Sequence, residues 1–274
     1  MVTYDFSGQV AFVTGAAHGQ GRSHAVKYAE NGADVVVTDI CANVDTNPYE
    51  LGTREELDET ASMVEDEGQE ALAIEMDVRE EAEVRAAVEE ALDEFGRIDM
   101  LANNAGIFNS AEMVQLPEQQ WDDMIDTNLK GVWLCSKHVG KHFIERGGGG
   151  KIVSTSSTAG LVGTLLSGHY SATKWGVRGL TKTLALELAE YDVNVNCVCP
   201  TGVDTPMIEG YVEHYGEEML GEIAELTGPF NLFNPEDAMI SPEYISEAYM
   251  WLSSDAARYV TGIELPVDAG YTAK

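Results

Sequence analysis

The chain has 274 residues, 44% of them hydrophobic, and its 47 acidic and 16 basic side chains give a formal net charge of -31. Its length and composition predict one α/β domain spanning residues 1–274. The charge excludes nucleic acid and anionic membranes as natural partners, because a strongly acidic surface repels both. No run of about 18 apolar residues occurs, so we expect a soluble cytoplasmic protein. The acids are spread over nearly every helix, which indicates a halophilic protein whose self-repulsion is screened by salt.

The first predicted elements are a strand, a glycine turn, a helix and a second strand between Gln9 and Asp39. Glycines stand at 15, 19 and 21, directly after the first strand. Because glycine has no side chain, backbone N–H groups and the following helix N-terminus can close on a pyrophosphate. Asp39 ends the second strand, where its carboxylate can accept hydrogen bonds from a ribose and repel a 2′-phosphate. The stretch therefore predicts a dinucleotide site that prefers NAD to NADP.

A turn-rich segment at residues 40–53 follows the second strand and is longer than the usual connection of about two to six residues. We expect it to form an insert beside the adenosine site. Beyond it, strands and helices alternate, which predicts a Rossmann-like, doubly wound sheet of seven mostly parallel strands with helices on both faces. The later predicted strands are Ala71–Met76, Ile98–Ala102, Ile152–Thr155 and Val193–Val198, and the helices are Arg54–Gly68, Glu80–Gly96, Glu118–Arg146 and His169–Tyr191.

Three side chains predict an acid–base centre. Tyr170 and Lys174 are four residues apart on a predicted helix, so they share one face of it. A fixed ammonium beside a phenol favours the phenolate, and we expect Lys174 to lower the pKa of Tyr170. Ser157 follows the preceding strand, where its hydroxyl can hold the same substrate oxygen. The Tyr-x3-Lys spacing alone is common by chance, but here it stands with Ser157 and with the Asn-Asn-Ala-Gly run at 103–106.

With these motifs the chain resembles the short-chain dehydrogenase/reductase family over nearly all of its length. The resemblance implies an NAD-dependent oxidoreductase that interconverts a secondary alcohol and a ketone. The matching motifs are Thr14–Gly21, Asp77, Asn103–Gly106, Asn128, Ser157, Tyr170, Lys174 and Pro200–Met207.

The resemblance also implies roles for particular side chains. Tyr170 is the expected acid/base, and Ser157 holds the reacting oxygen. Lys174 also holds the nicotinamide ribose, and Asn128 supports a water-linked proton path. Arg22 departs from the family pattern, in which an apolar residue usually follows the last glycine, and it either touches a phosphate or caps a surface. The expected cofactor contacts are Gly15, His18, Gly19, Gln20, Gly21, Arg22, Asp39, Ile40, Asp77, Val78, Asn104, Ala105, Gly106, Tyr170, Lys174, Pro200, Val203 and Thr205.

The insert, together with the GQGRSHAVK and PTGVDTPM runs, looks like the carveol dehydrogenase-like subgroup. Members of that subgroup are often linked to mycofactocin, which implies an external redox partner. The insert is long enough to fold back over the adenosine ribose, so we also expect NAD to be held tightly. The family also implies a homotetramer built on the helices Glu118–Arg146 and His169–Tyr191 and on the C-terminal LPVDAGY segment.

The expected substrate lid, residues 203–240, favours a bulky apolar ligand such as a terpene alcohol. A polyol or sugar dehydrogenase is the nearest alternative. A 3-oxoacyl-carrier-protein reductase is disfavoured because its acidic carrier needs a basic docking patch. A non-catalytic NAD-binding protein is disfavoured by the complete tetrad. No metal site is predicted, since His138 and His142 have no third ligand nearby in the sequence. The apolar residues expected at the substrate are Leu161, Val162, Leu165, Leu166, Met207, Tyr211, Tyr215, Met219, Phe230, Phe233 and Met239.

Overall fold

Seven strands form one sheet in the computed structural model, which describes residues 4–216, 218–219, 221, 225, 228–234 and 239–273. The strands are β1 (Val10–Thr14), β2 (Asp34–Asp39), β3 (Ala71–Glu75), β4 (Met100–Asn103), β5 (Gly150–Thr155), β6 (Val193–Pro200) and β7 (Glu264–Val267). Their order is β3-β2-β1-β4-β5-β6-β7, and every neighbouring pair is parallel. The predicted Rossmann-like fold class is therefore confirmed.

Helices cover both faces of the sheet. They are α1 (Gly19–Glu30), α2 (Arg54–Asp66), α3 (Glu81–Phe95), α4 (Glu118–Ile125), α5 (Gly131–Arg146), α6 (Gly168–Glu187), α7 (Pro206–Tyr215) and α8 (Pro242–Ser253). Alternate residues of a strand point to opposite faces, so β1 supplies Ala11 and Val13 to one core and Val10 and Phe12 to the other. α1, α2 and α8 pack on the first core, and α3, α5 and α6 pack on the second.

Two predicted long helices are interrupted. The helix predicted at Glu118–Arg146 contains a π-helical turn, Asp126–Lys130, between α4 and α5. Such turns frequently occur at functional sites, and Asn128 lies in this one. The helix predicted at His169–Tyr191 ends at Glu187, and Ala189–Tyr191 form a separate 3-10 turn. Helix ends commonly tighten in this way, so the sequence pattern overestimated its length.

The sheet order reverses at β1, whose neighbours are β2 and β4. Ligands of doubly wound sheets bind outside the carboxyl ends of the strands at such a reversal. Gly15, Asp39 and Asn104 stand at these ends, and so does Ser157 beyond β5. Within the part of the chain that is described, no helix is both long and apolar enough to traverse a bilayer. Parts of the predicted lid, residues 203–240, lie outside the described residues.

Candidate active site

The glycine turn after β1 packs directly against the turn after β4. Gly15 has a left-handed φ of +67°, and a Cβ added to it would lie 2.7 Å from the Cα of Ala105. A Cβ on Gly21 would overlap the Gly15 carbonyl oxygen. Asn104 joins the two turns, because its Nδ2 donates to the carbonyls of Thr14 and Gly15 at 3.2 and 3.1 Å. The missing side chains at these glycines let the two turns pack together beside the N-terminus of α1, whose unpaired N–H groups can receive a pyrophosphate.

A crevice runs from this turn along the strand ends to α6. His18 Nδ1 and Gln20 Oε1 are buried there and have no hydrogen-bond partner within the described chain. These atoms are free to meet a polar ligand, which fits a dinucleotide. The predicted cofactor residues that line the crevice are Gly15, His18, Gly19, Gln20, Asp39, Ile40, Asp77, Val78, Asn104, Ala105, Gly106, Tyr170, Lys174 and Thr205.

Three predicted cofactor residues lie beside the crevice instead of lining it. Gly21 is packed inside the glycine turn. Pro200 and Val203 line a second cavity. Thr205 lines both this cavity and the crevice. The hydroxyl of Thr205 donates to the Val203 carbonyl at 3.3 Å, so the two residues form one short turn between the two spaces.

Arg22, another predicted cofactor residue, does not line the crevice, and its guanidinium contacts neighbouring parts of the protein. Its guanidinium donates to the Ala17 carbonyl at 2.7 Å and to the Glu56 carbonyl at 2.9 Å. It also pairs with the Glu59 carboxylate at 2.7 Å and donates to the Thr60 hydroxyl at 2.9 Å. Arg22 therefore joins α2 to the glycine turn, while its assignment as a cofactor contact stays a prediction.

Asp39 is buried at the end of β2 and lines the crevice. Its Oδ2 accepts the backbone N–H of Ala17 at 3.1 Å, and its Oδ1 accepts the N–H of Cys41 at 3.3 Å. Each carboxylate oxygen can accept more than one hydrogen bond, so these contacts orient the group without exhausting it. Asp39 is thus held in a fixed orientation in the crevice wall.

Asp77 follows β3 and is paired with a residue that the sequence did not single out. Arg79 Nε and Nη2 donate to the Asp77 carboxylate at 2.9 and 2.6 Å, and both residues line the crevice. Arg79 also lies 3.7 Å from Asp123 of α4. Asp77 is therefore oriented by a bidentate ion pair in the crevice wall.

The insert, residues 40–53, forms one wall of the crevice and is anchored on both sides. Tyr49 is buried, and the backbone N–H of Phe108 donates to its Oη at 3.0 Å. Asn109 Nδ2 donates to the carbonyl of Thr46 at 3.1 Å. A Cβ on Gly210 of α7 would overlap the Tyr49 side chain. The insert is therefore packed between α7 and the segment that follows β4.

Tyr170, Ser157 and Lys174 come together at the other end of the crevice. The Ser157 hydroxyl lies beside the Tyr170 side chain and lowers its pKa, against the larger effect of burial. The Nζ of Lys174 lies 5.3 Å from the centre of the Tyr170 ring. It donates to the carbonyl oxygen of Thr155 at 2.9 Å. Lys174 thus faces the phenol ring and is held by the last residue of β5.

Burial sets the protonation of this pair. It raises the pKa of Tyr170 to about 12, although the neighbouring Ser157 hydroxyl acts in the opposite direction. Burial also lowers the pKa of Lys174 to about 8. The sequence predicted a lowered pKa for Tyr170, and in the protein alone this expectation is wrong. The cost of burying a phenolate exceeds the benefit from an ammonium that is directed at a carbonyl.

A buried tyrosine that the sequence analysis missed supports this arrangement. Tyr249 of α8 has its Oη 2.6 Å from the Oγ1 of Thr155, whose carbonyl holds Lys174. The His24 ring of α1 stacks on the Tyr249 ring with centroids 4.0 Å apart. Tyr249 is 94 residues from Thr155 in the chain, so no local pattern signals the contact.

Asn128 uses its side chain to hold the segment after β4. Its Oδ1 accepts the N–H of Ile107 at 2.8 Å, and its Nδ2 donates to the Ile107 carbonyl at 2.9 Å. This paired contact fixes the backbone that follows the Asn-Asn-Ala-Gly run. The π-turn around Asn128 places it against this segment, while its expected part in a water-linked proton path stays a prediction.

The second cavity adjoins Ser157 and Tyr170, and apart from the Gln20 amide its lining is apolar or carries hydroxyl groups. In the described part of its wall there is no Asp, Glu, Lys, Arg or His. Of the residues expected at the substrate, Leu165, Met207, Tyr211, Phe230 and Met239 line it. Leu161, Val162, Leu166, Tyr215, Met219 and Phe233 are not part of this wall, and Phe233 is 88% exposed.

The match to a known family spans most of the chain. The family described as short chain dehydrogenase matches residues 9–216. The chain belongs to the short-chain dehydrogenase family. This membership confirms the resemblance inferred from the glycine turn, the Asn-Asn-Ala-Gly run and the Tyr-x3-Lys pair.

Relatives within the family are similar over nearly their whole length. A (-)-trans-carveol dehydrogenase of Rhodococcus erythropolis is 44% identical over 273 residues, 97% of this chain and 98% of that protein. An uncharacterized NAD-dependent oxidoreductase of Mycobacterium tuberculosis is 42% identical over 268 residues, 96% of this chain and 95% of that one. A solved carveol dehydrogenase of Mycobacterium avium in complex with NAD has a TM-score of 0.91 and 38% identity, covering 99% and 100% of the two chains.

This short-chain dehydrogenase is an NAD-dependent oxidoreductase, in agreement with the cofactor and the enzyme class predicted from its sequence. The similarity to carveol dehydrogenases is consistent with the predicted subgroup.

Proposed function

We propose that this short-chain dehydrogenase interconverts a neutral secondary alcohol on an apolar, cyclic skeleton with its ketone, using NAD. The observation that carries the proposal is the second cavity, which adjoins Ser157 and Tyr170 and has no charged side chain in its described wall. A buried carboxylate or ammonium would have no counter-ion there, and burying an unpaired charge is costly. The name of the Rhodococcus erythropolis relative, a carveol dehydrogenase, supports the same class.

In the proposed oxidation, Ser157 donates a hydrogen bond to the alcohol oxygen and Tyr170, as the phenolate, removes its proton. NAD, when bound, supplies an oxidised nicotinamide that accepts the hydride from the carbinol carbon. Burial raises the pKa of Tyr170, and the Lys174 ammonium, 5.3 Å from the Tyr170 ring, offsets part of the cost of forming the phenolate. Proton transfer of this kind contributes about 10²- to 10⁴-fold to a rate.

The residues that would hold NAD follow from the crevice wall. We assign the pyrophosphate to the glycine turn, the adenosine ribose to Asp39 and the adenine to the surroundings of Asp77. Asn104, Gly106 and Thr205 also line the crevice, and we assign Thr205 to the nicotinamide end. Asp39 also disfavours a 2′-phosphate, which supports NAD over NADP.

The alternatives fit the second cavity less well. A polyol or sugar needs many hydrogen-bonding partners, whereas Leu165, Met207, Phe230 and Met239 make much of this wall apolar. A carrier-protein substrate needs a cationic docking patch, which a net charge of -31 disfavours. A non-catalytic NAD-binding role would leave the Ser157, Tyr170 and Lys174 cluster without a purpose.

A substrate panel tests the proposal. We expect a neutral cyclic secondary alcohol to exceed the same ring bearing a carboxylate by at least about tenfold in kcat/KM, because the cavity offers the carboxylate no cation. Initial rates of NAD reduction, with an artificial dye acceptor in a parallel series, give the ratio. A preference for the carboxylate or for a sugar alcohol would contradict the proposal.

We also propose that NAD remains bound between turnovers and that an external redox partner such as mycofactocin reoxidises it. The support is the insert, which is anchored through Tyr49 and Asn109 and forms a wall of the crevice. A wall that must move before the cofactor leaves slows dissociation more than association.

The proposed assembly is a homotetramer built on α4, α5 and α6. Trp121, Trp133 and Trp175 lie on these helices and are 37%, 42% and 49% exposed. Exposed aromatic side chains on neighbouring helices indicate a surface that another subunit covers. Light scattering in molar KCl is expected to give the mass of four chains. A stable monomer under those conditions would show the assignment to be wrong.

The acidic surface suggests a protein of a salty cytoplasm, whose stability rises with salt. On α3 the side chains of Glu89, Glu90, Asp93 and Glu94 are all exposed. The negative carboxylates of such a cluster repel one another. We expect Tm to rise steadily from dilute buffer to molar KCl, because salt screens exposed charges. Differential scanning calorimetry checks this, and a flat or falling Tm would contradict a halophilic adaptation.

A further inference from the structure

One wall of the second cavity carries two hydroxyl groups away from Ser157. The Oγ of Ser110 and the Oη of Tyr211 are 2.9 Å apart, and both residues line the cavity. The ring of Phe108 packs against the Tyr170 ring at 4.8 Å and against the Tyr211 ring at 5.0 Å. The Ser110–Tyr211 pair is therefore separated from the reacting end of the cavity by about one aromatic ring.

The hydroxyl protons of this pair are not matched by strong acceptors. Tyr215 Oη accepts the Ser110 N–H at 3.2 Å and donates to the Ser110 carbonyl at 3.2 Å, so its own proton is used. The two remaining protons belong to the Ser110 and Tyr211 hydroxyls, and one of them forms the hydrogen bond between these two residues. For the other, the acceptor within the described chain is the Met219 thioether, 3.2 Å from Tyr211 Oη. A thioether sulfur is a weak acceptor.

A ligand oxygen would complete the pair better than Met219 does. Tyr211 would then donate to the Ser110 Oγ, and the Ser110 hydroxyl would donate to the ligand. Both residues line the cavity, but Tyr211 is buried and Ser110 is partly exposed, so we take Ser110 as the donor that a ligand meets and Tyr211 as the group that orients it. Tyr215 fixes the backbone of Ser110 at both its N–H and its carbonyl, which orients the donor before a ligand arrives.

We propose that Ser110 is a specificity-determining residue that binds a second, uncharged oxygen of the substrate. The substrate is then an uncharged cyclic alcohol that carries a second oxygen, as an ether, ketone or hydroxyl, on the side of the ring opposite the reacting carbinol. This inference rests on the proposed function, because it assumes that the reacting carbinol lies at Ser157 and Tyr170. Tyr211 is a positioning residue for the Ser110 donor.

The test compares 4-methoxycyclohexanol with 4-ethylcyclohexanol, which differ by one ether oxygen in place of a methylene group. The measured quantity is the kcat/KM of the methoxy compound divided by that of the ethyl compound. Because both values come from the same protein, differences in folding or in overall rate cancel. Ser110→Ala should lower this ratio by about tenfold, the worth of one hydrogen bond at its upper range. Ser110→Thr keeps a hydroxyl and should keep most of the ratio, while Tyr211→Phe should lower it by a smaller factor.

Thr164→Val is the matched control in the same cavity, because the Thr164 hydroxyl is already engaged by Ser167 and Ser171 at 2.7 Å each. Its ratio should equal that of the wild type. An unchanged ratio in Ser110→Ala, or an equal fall in Thr164→Val, overturns the assignment. Calorimetric affinities for the two alcohols give the same ratio without turnover. A ratio that responds to Ser110 in binding while neither alcohol is oxidised supports the second-oxygen site and contradicts the proposed reaction.

Discussion

Replacing Tyr170 with phenylalanine is expected to lower turnover by at least about a hundredfold, in line with the usual worth of general acid–base catalysis. The substitution removes the hydroxyl and keeps the ring, which packs edge-on against Phe108 with centroids 4.8 Å apart. NAD affinity should therefore stay close to that of the wild type. Single-turnover kinetics and equilibrium binding of NAD measure the two quantities separately.

The matched control is Tyr28→Phe. Tyr28 is also a fully buried tyrosine, but its Oη contacts the Ser253 hydroxyl of α8 at 2.7 Å, and Tyr28 lines neither the crevice nor the second cavity. Losing that hydrogen bond should cost about 1 kcal/mol of stability and leave turnover within about twofold of the wild type. A Tyr170→Phe protein that keeps most of its activity would remove Tyr170 from the mechanism.

Shortening the insert is expected to convert NAD from a retained group into an exchangeable one, with dissociation faster by at least about tenfold. The loop can be closed, because Asn43 Oδ1 accepts the backbone N–H of Leu51 at 2.8 Å and its two ends lie together. Deleting residues 44–50 and joining the ends through glycines removes Tyr49 and Thr46, which anchor the wall. Release of bound dinucleotide into excess labelled NAD gives the rate.

Two point variants sharpen this test. Tyr49→Phe removes the acceptor for the Phe108 N–H and should speed NAD release, since a buried donor then loses its partner. Glu50→Gln changes an exposed neighbour in the same insert and should leave the release rate unchanged. If the wild-type protein is purified without NAD and turns over normally when NAD is added, the proposal that NAD remains bound between turnovers is wrong.

Much of the fold was predictable because its signals are local. Alternating strands and helices, glycines after β1 and a carboxylate after β2 are each readable within about thirty residues, the size of one βαβ unit. The family motifs extended this reading to Ser157, Tyr170 and Lys174, and the structure brings these three together. The insert was recognised from its length alone, without its anchors.

The remainder depends on contacts between distant parts of the chain. The sequence left Arg22 as either a phosphate contact or a surface cap, because its partners on α2, Glu56 and Glu59, are more than thirty residues away. The pKa of Tyr170 follows from how deeply the assembled protein buries it, which the spacing to Lys174 does not reveal. Tyr249 supports Thr155 from α8, near the other end of the sequence.

The most direct test of the central claim is the transfer of hydrogen from the alcohol to the cofactor in a single turnover. Enzyme with bound NAD is mixed with a neutral cyclic secondary alcohol deuterated at its carbinol carbon, and the dinucleotide is then released and analysed by mass spectrometry. The account predicts one deuterium on the reduced nicotinamide in the wild type and a sharply lower yield over the same interval in Tyr170→Phe. Reduced cofactor without deuterium, or no reduction by any neutral cyclic alcohol in high salt, would contradict it.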